Sequence, residues 1–364
     1  MKIKNFTLLL IMLIASVANG QSKKYAVHTI AFYNLENFYD TINDPNTRDD
    51  EWVYTKQYHD KKVSNIARVI AELGSGDNAN SPTVMGLSEV ENRGMLEVLV
   101  KDPQIAEKNY GIVHFDSPDR RGIDCAFIYQ KNHFTPTSFT NIPLLIYEAD
   151  TKGPKKEKKE KEEVTDDKND FDEVTKRIYT RDQILMTGKL DGEEVSFIVN
   201  HWPSRRGGEK VSAPLREAAA ALNKRIIDSL QRINPRAKVI TMGDLNDGPF
   251  NKSIKEVLGA KGDVNDVEPL GLYNPAEKML NKGIGTLAHR DAWDFFDQII
   301  FTEPLLPKNN DFSTWKYWKA GVYNKSFMIQ KTGQYRGYGL RNSKDEPGFS
   351  DHFPSYIYLI KEFK

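Results

Sequence analysis

Short apolar runs recur along the chain at strand length: HTIAFYNLE, PTVMGLSEV, CAFIYQ, DQILMTGKL, VSFIVNHW, KVITMGDLN, DQIIF and SYIYLI. Each reads as a buried strand. Between several of them the apolar spacing becomes helical. In DKKVSNIARVIAEL, residues Val63, Ile66, Ile70 and Leu73 share one face; in SAPLREAAAALNKRIIDSL, which opens on a Ser-x-Pro start, Leu215, Leu222, Ile226 and Leu230 do the same. The alternation predicts a layered α/β domain whose sheets are covered by helices, without internal repeats.

Two segments break the pattern. Residues 1–20 carry a basic head (Lys2, Lys4), a short apolar run and small residues at Ala18 and Gly20, which reads as a signal peptide cleaved near residue 20. The alternative, an uncleaved anchor, needs about 20 apolar residues, more than this run supplies. The expected product is one domain over residues 21–364, exported to the periplasm or outside the cell, with no stable membrane anchor. At about 151–170 the stretch TKGPKKEKKEKEEVTDDKND alternates blocks of charge with almost no apolar residue. It cannot bury enough surface to fold alone, so it is expected to be a disordered, solvated insertion within the domain, with a binding tail as the other reading.

Composition narrows the picture. A chain of 364 residues, 39% hydrophobic and 28% charged, builds a large core, and disorder throughout is excluded. Basic and acidic residues balance at 51 each, and loss of Lys2 and Lys4 with the leader leaves a net charge near −2. No global basic field exists to hold a polyanion, so any such substrate must be gripped locally. Cys125 is the single cysteine, which rules out an internal disulfide, and its place in CAFIY marks a buried thiol rather than a nucleophile.

The strand-like runs share an odd feature: they end in polar residues. Asn34 and Glu36 end the first, Glu89 the second, Asn200 and His201 the fifth, Asp244 and Asn246 the sixth, and Asp351-His352 precedes the last. Unpaired carboxylates and imidazoles are costly to bury, so their repetition at strand ends predicts a common polar floor. Taken singly, each has a duller explanation, such as turn chemistry at Asp244-Leu245-Asn246 or a satisfied near-core histidine beside Trp202. Together they form acids, amides and two histidines without a thiolate, a donor set suited to Mg²⁺ or Mn²⁺ more than to zinc, for which no His/Cys cluster has ligand spacing.

Asn34-x-Glu36, Ser88-Glu89, Asn200-His201-Trp202, Gly243-Asp244-Leu245-Asn246, Asp297-Gln298-Ile299-Ile300 and Ser350-Asp351-His352-Phe353-Pro354 resemble, in order, the motifs of the endonuclease/exonuclease/phosphatase superfamily. They span nearly all of the chain after the leader. The resemblance implies a DNase I-like four-layer α/β/β/α sandwich of two mixed β-sheets, with the site at one edge. It also implies metal-assisted phosphoester hydrolysis by in-line attack of water. Within that scheme Glu89 is the principal metal carboxylate, Asp351 and Glu36 hold metal-bound water or a second ion, and Asp244 beside Asn246 positions the attacking water and contacts the metal. Asn34 donates an amide hydrogen bond. His352 pairs with Asp297, and His201 with Asp124. Arg181, Arg205 and Arg206 bind phosphate, with Ser204, Lys210 and Arg120-Arg121 as further contributors; solvated loop arginines are the alternative.

For substrate, the HWPSRRGG stretch resembles secreted bacterial nucleases of the superfamily, which favours nucleic acid cleaved by a monomer. A sphingomyelinase-like or small-ester phosphatase activity is the alternative, and an inactive binding protein of the same fold is a third reading. The aromatic FSTWKYWKAGVYNKSF is read as core rather than as a membrane-docking hairpin. If the charged insertion is solvated, deleting residues 153–168 leaves the melting temperature and activity nearly unchanged; a large fall in either, by thermal melt and activity assay, would show that it packs on the body.

Overall fold

The computed structural model describes residues 24–49, 54–147, 172, 174–289 and 291–363. The segment read as a signal peptide and the charged insertion lie outside the described residues. Among the described residues, a six-stranded sheet runs in the order β16 (Lys316–Val322), β17 (Ser355–Glu362), β1 (Tyr25–Phe38), β2 (Val84–Val90), β4 (Asp124–Gln130), β3 (Tyr110–His114). A seven-stranded sheet runs β11 (Ala260–Lys261), β12 (Leu272–Tyr273), β15 (Asp297–Thr302), β10 (Val239–Asp244), β9 (Glu193–His201), β8 (Gln183–Leu190), β5 (Phe134–Ile142). Both are mixed, since β1–β2 and β9–β10 pair parallel while β1–β17 and β10–β15 pair antiparallel. Two ribbons, β6 (Ile146–Tyr147) with β7 (Arg177–Ile178) and β13 (Leu287–His289) with β14 (Ala292–Asp294), stand apart.

Three apolar clusters mark the contacts between layers. Ile30 and Phe32 of β1 meet Phe197, Val199, Ile240, Met242 and Ile299 between the sheets, where Cys125 is also buried. The alternate residues of β1, Ala31, Tyr33 and Leu35, face Val63, Ile66 and Ile70 of helix α1 (Lys56–Glu72) and Leu96 and Leu99 of α2 (Arg93–Leu99). On the other side, Ile198 and Val239 face Ala219, Leu222 and Ile226 of α3 (Glu209–Ile233). The period of two along each strand thus divides its residues between two interfaces, and the layers stack helix, sheet, sheet, helix. A short α4 (Ala276–Leu280) follows β12.

All eight apolar runs form strands. Helix α1 begins at Thr55, whose side chain caps Tyr58 N at 3.2 Å. Helix α3 begins one turn earlier than its Ser-x-Pro signal implies: Gly208 is the cap residue and Pro214 lies inside the helix. In FSTWKYWKAGVYNKSF, Trp315 and Tyr323 are buried, whereas Trp318 is exposed on β16 under Lys319. No helix among the described residues is long and apolar enough to cross a membrane.

Gly243 marks where β9 and β10 approach closely, because a β-carbon built there would lie 2.3 Å from the Asn200 carbonyl oxygen. Backbone cannot yield as a side chain does. Gly243→Ala is expected to cost about 1–3 kcal/mol, as overpacked cores do, seen as a fall of several degrees in melting temperature; an unchanged melt would contradict the packing described.

Candidate active site

The alternation that builds the inter-sheet core also sets the site. Asn34 continues the Ile30, Phe32 series of β1; His201 continues Phe197 and Val199; Asp244 continues Ile240 and Met242; Asp297 precedes Ile299 and Phe301. Each polar side chain therefore occupies an inter-sheet position at a strand end, where the apolar filling stops. Register aligns them, since Asp244 pairs with His201 on one neighbour and with Asp297 on the other.

Glu89 is the exception that shows the local device. By simple alternation it would join Met85 and Leu87 on the helix-facing side. Instead the ladder shifts between Ser88 and Val90, and Glu89 takes a left-handed φ of 59°. Such a bulge re-aims a side chain. Glu89 thereby reaches Asn34, whose Nδ2 lies 3.4 Å from its Oε1, and accepts Asn37 N at 2.9 Å. Glu36, Asn37 and Asn246 are also left-handed, concentrating unfavourable backbone for non-glycine residues at this edge.

One oxygen joins the set. Asp244 Oδ2 lies 3.1 Å from Asn34 Nδ2, 3.6 Å from His201 Nε2 and 3.8 Å from His352 Nε2. His352 Nδ1 is 2.8 Å from Asp297 Oδ2, and His201 Nε2 is 4.0 Å from Glu89 Oε1. Asp351 Oδ1 lies 3.9 Å from His352 Nε2. Ser350 ties this last segment to β1 by donating to Asn34 O at 2.8 Å while accepting His352 N. Asn34, Glu89, His201, Asp244, Asp297, Asp351 and His352 are thus brought together from both sheets.

The remaining residues fall elsewhere. Asp124 does not pair with His201: it begins β4, and its carboxylate is taken by His114 Nε2 at 3.0 Å from neighbouring β3 and by Ser117 N at 2.7 Å. Among the described residues, His201 Nδ1 has no hydrogen-bond partner. Arg181 is buried, with Nη1 on Asp119 at 2.8 Å and Nη2 on Trp202 O at 2.7 Å, so it holds the residue after His201 in place. Asn246 donates to the same Trp202 carbonyl at 2.9 Å. Arg205 stacks over Phe296 and reaches Asn246 O, Glu209 and Asp294. Arg206 is partly exposed in the turn after β9. Asn200 faces α3, donating to Thr241 and accepting from Asn223. Glu36 is buried, its Oε2 accepting Asn342 N at 2.8 Å.

Sequence reasoning missed this supporting ring. Lys62, on the apolar side of α1, is fully buried and donates to Asn342 Oδ1 and Phe349 O. Arg341 Nη2 lies 3.4 Å from Asp351. The available signal was a lysine directly preceding Val63 on an apolar stripe and the Arg341-Asn342 pair upstream of Ser350. Trp293, also missed, is partly exposed on β14 and stacks on Phe353, the residue after His352, with ring centroids 5.8 Å apart and planes at 19°.

The electrostatics are divided. Burial holds His201 well below its ordinary range, helped by Arg181, Arg121 and His352, and so keeps it neutral. Burial also works against a proton on His352, but Asp297 and Asp244 overcome it and hold the imidazole well above its ordinary value. The Asp244 carboxyl is pushed up to about 6, chiefly by burial; His352 opposes the push and Asp297 adds to it. Glu36 rises to about 8 through burial, with Asp351 adding and Lys62 opposing, while burial brings Lys62 down to about 8. Buried carboxyls lifted in this way are costly to ionise without a counter-charge, which a divalent cation would supply. Oxygen donors from Glu89, Asp351 and Asp244 fit Mg²⁺ or Mn²⁺. Asp244, Asp297 and His352 also offer ligand atoms within 4.8 Å of one another. The His352 Nδ1–Asp297 Oδ2 hydrogen bond holds that ring with its Nε2 facing Asp244 Oδ2 at 3.8 Å.

The sequence profile of the Endonuclease/Exonuclease/phosphatase family matches residues 29–156 and 145–361, and the chain belongs to that family. Among solved structures it is similar to an endonuclease/exonuclease/phosphatase family protein from Bacteroides thetaiotaomicron (18% identity, TM-score 0.51, covering 93% of this chain and 97% of that one). It is also similar to a mannosyl-6-phosphatase of Bacteroides thetaiotaomicron (17%, 0.51, 91% and 99%) and to D. rerio TDP2 complexed with single-strand DNA product (11%, 0.50, 92% and 99%). These likenesses establish the DNase I-like α/β sandwich. No curated protein matches the chain significantly.

Because His352 gains proton affinity on folding, its contribution to stability is full below its unfolded value near 6.5 and is lost as pH rises through the raised folded value. In chelator, the melting-temperature gap between wild type and His352→Gln is therefore expected to be widest near about pH 6 and to close at higher pH. A gap that widens with pH would contradict the assignment.

Proposed function

We propose that this edge is the active site of an exported, divalent-metal-dependent phosphoester hydrolase that cleaves phosphodiesters, nucleic acid first among them, by in-line attack of water. The observation that carries the reading is the meeting of Asn34, His201 and His352 on Asp244 Oδ2 beside Glu89. Asp244, its affinity for a proton raised, orients the water and draws its proton. His352, kept protonated by Asp297, offers an N–H to a phosphoryl oxygen as negative charge grows there, and neutral His201 offers a second hydrogen bond. The Asn34 amide fixes the Asp244 carboxylate for that task. A Mg²⁺ or Mn²⁺ held by Glu89, Asp351 and Asp244 would act as Lewis acid on the phosphoryl oxygens.

Trp293 supports a nucleic-acid substrate. Exposed aromatic faces stack on bases, and this one lies over the residue following His352, with Tyr338 6.2 Å away. A small phosphate ester is the second reading, favoured by the balanced charge and by the commitment of Arg181 and Arg205 to protein carboxylates. In support of phosphoesters as the general class, TDP2 was captured with a DNA product and another structural neighbour is a mannosyl-6-phosphatase. The meeting of Asn34, Glu89, His201, Asp244, Asp297, Asp351 and His352 weighs against an inactive binding protein.

Hydrolysis of a generic phosphodiester dye should require Mg²⁺ or Mn²⁺ and stop in excess chelator, and His201→Ala and His352→Ala should each lower kcat by about 10²–10⁴-fold in folded protein. Trp293→Ala should raise KM for single-stranded DNA while sparing the dye. Turnover of sugar phosphates with none of DNA or RNA would install the second reading; unaltered rates in either histidine variant would remove the mechanism.

A further inference from the structure

Six residues along β1 from Asn34, roughly 20 Å at strand rise, lies a separate cluster that the reaction does not use. His28 is buried on β1, His133 follows β4 in the turn toward β5, and Asp191 occupies the two-residue Asp-Gly turn between β8 and β9. Asp191 bridges the two imidazoles: its Oδ2 is 2.8 Å from His28 Nε2 and its Oδ1 is 3.3 Å from His133 Nδ1. The three ligand atoms all lie within 4.8 Å of one another. Backbone geometry fixes the arrangement further, since Asp191 N donates to His133 O at 2.8 Å.

We propose that His28, His133 and Asp191 form a second metal site, of the type that takes Zn²⁺, which staples the two sheets together at the end of the sandwich remote from the reaction. The chemistry of the donors selects the ion. Two imidazoles and one carboxylate suit zinc better than Mg²⁺ or Ca²⁺, which take oxygen ligands. Geometry agrees: tetrahedral zinc with bonds of 2.0–2.2 Å places its ligand atoms about 3.4 Å apart, and here one ligand atom from each residue lies within 4.8 Å of the other two, each imidazole nitrogen approaching its own Asp191 oxygen at 2.8 or 3.3 Å. His28 also has the outer partner that a ligating histidine usually has. Its Nδ1 is 2.8 Å from Thr83 Oγ1, which fixes the ring with Nε2 toward the ion. Trp315 packs on the same ring with centroids 4.6 Å apart and limits its rotation. The partial exposure of His133 and Asp191 leaves room for entry of the ion and for a water as fourth ligand.

The placement gives the site a purpose. His28 belongs to the first sheet and Asp191 to the second, and His133 lies in the connection between them, so one ion would tie three sequence-distant points across the sandwich. A chain with a single cysteine has no disulfide to do this.

The test uses full-length protein stripped by chelator and carrying Glu89→Gln, so that the reaction centre contributes less to metal uptake. Titration with Zn²⁺, followed by calorimetry and thermal melts, should show one tight zinc per chain and a raised melting temperature. Co²⁺ in its place should give the visible absorption of a tetrahedral site. Adding His133→Ala, at a partly exposed position, should weaken zinc binding at least about 10-fold and abolish both the melting shift and the cobalt spectrum while the far-UV circular dichroism stays native. In an otherwise native chain, His133→Ala should leave Mg²⁺-supported hydrolysis unchanged. Equal zinc affinity with and without His133, or the same cobalt spectrum in both, would overturn the proposal and leave the cluster as a hydrogen-bonded clasp.

Discussion

The hydrogen bond from Asn34 to Asp244 crosses the gap between the two sheets, and the rest of the site is arranged around it. It is possible because strand alternation places both residues at inter-sheet positions where the apolar series stops: Ile30, Phe32, Asn34 on one sheet and Ile240, Met242, Asp244 on the other. A buried carboxylate without such a donor is expensive, so fold and site constrain each other. The sandwich core ends where its inner faces change from hydrocarbon to polar groups that can satisfy one another.

Around that contact the structure divides labour between the groups of the polar edge and the groups that hold them. Asp297 keeps His352 charged, and Ser350 fastens its segment to β1. Asp119 holds Arg181, which with Asn246 clamps the Trp202 carbonyl directly after His201. Arg205 and Arg216 draw the Asp244–Asp247 turn against α3, Arg216 through its ion pair with Asp247. Arg181 and Arg205, which look like phosphate ligands in a linear sequence, contact protein acceptors here. Their charge still acts, because Arg181 helps to keep His201 neutral.

How much of this was legible in the chain depends on the range of the interaction. The eight apolar runs became strands because period and length are local properties, and the polar residues ending them gave away the shared edge. What alternation could not show was Glu89, whose expected side was reversed by a bulge. Nor could linear order show that Asp124 serves His114, a partner supplied by the register of β3 on β4. Lys62 was hidden for a related reason: a lysine beside an apolar stripe reads as solvated until Asn342 and Phe349, nearly three hundred residues away, supply its acceptors. Strands β5 and β16 were passed over because they lie at sheet edges, where burial and hence pattern are weaker.

The central claim is that residues far apart in the chain form one centre for one phosphate. Its most direct measurement is the side-chain ¹H–¹⁵N spectrum of the histidines while inorganic phosphate is titrated into the Mg²⁺-bound protein. The account predicts that His201 and His352 shift along a single binding curve, that His28 and His133 stay still, and that Glu89→Gln weakens both responses together. Movement of only one of the two imidazoles, or two curves with different midpoints, would contradict it.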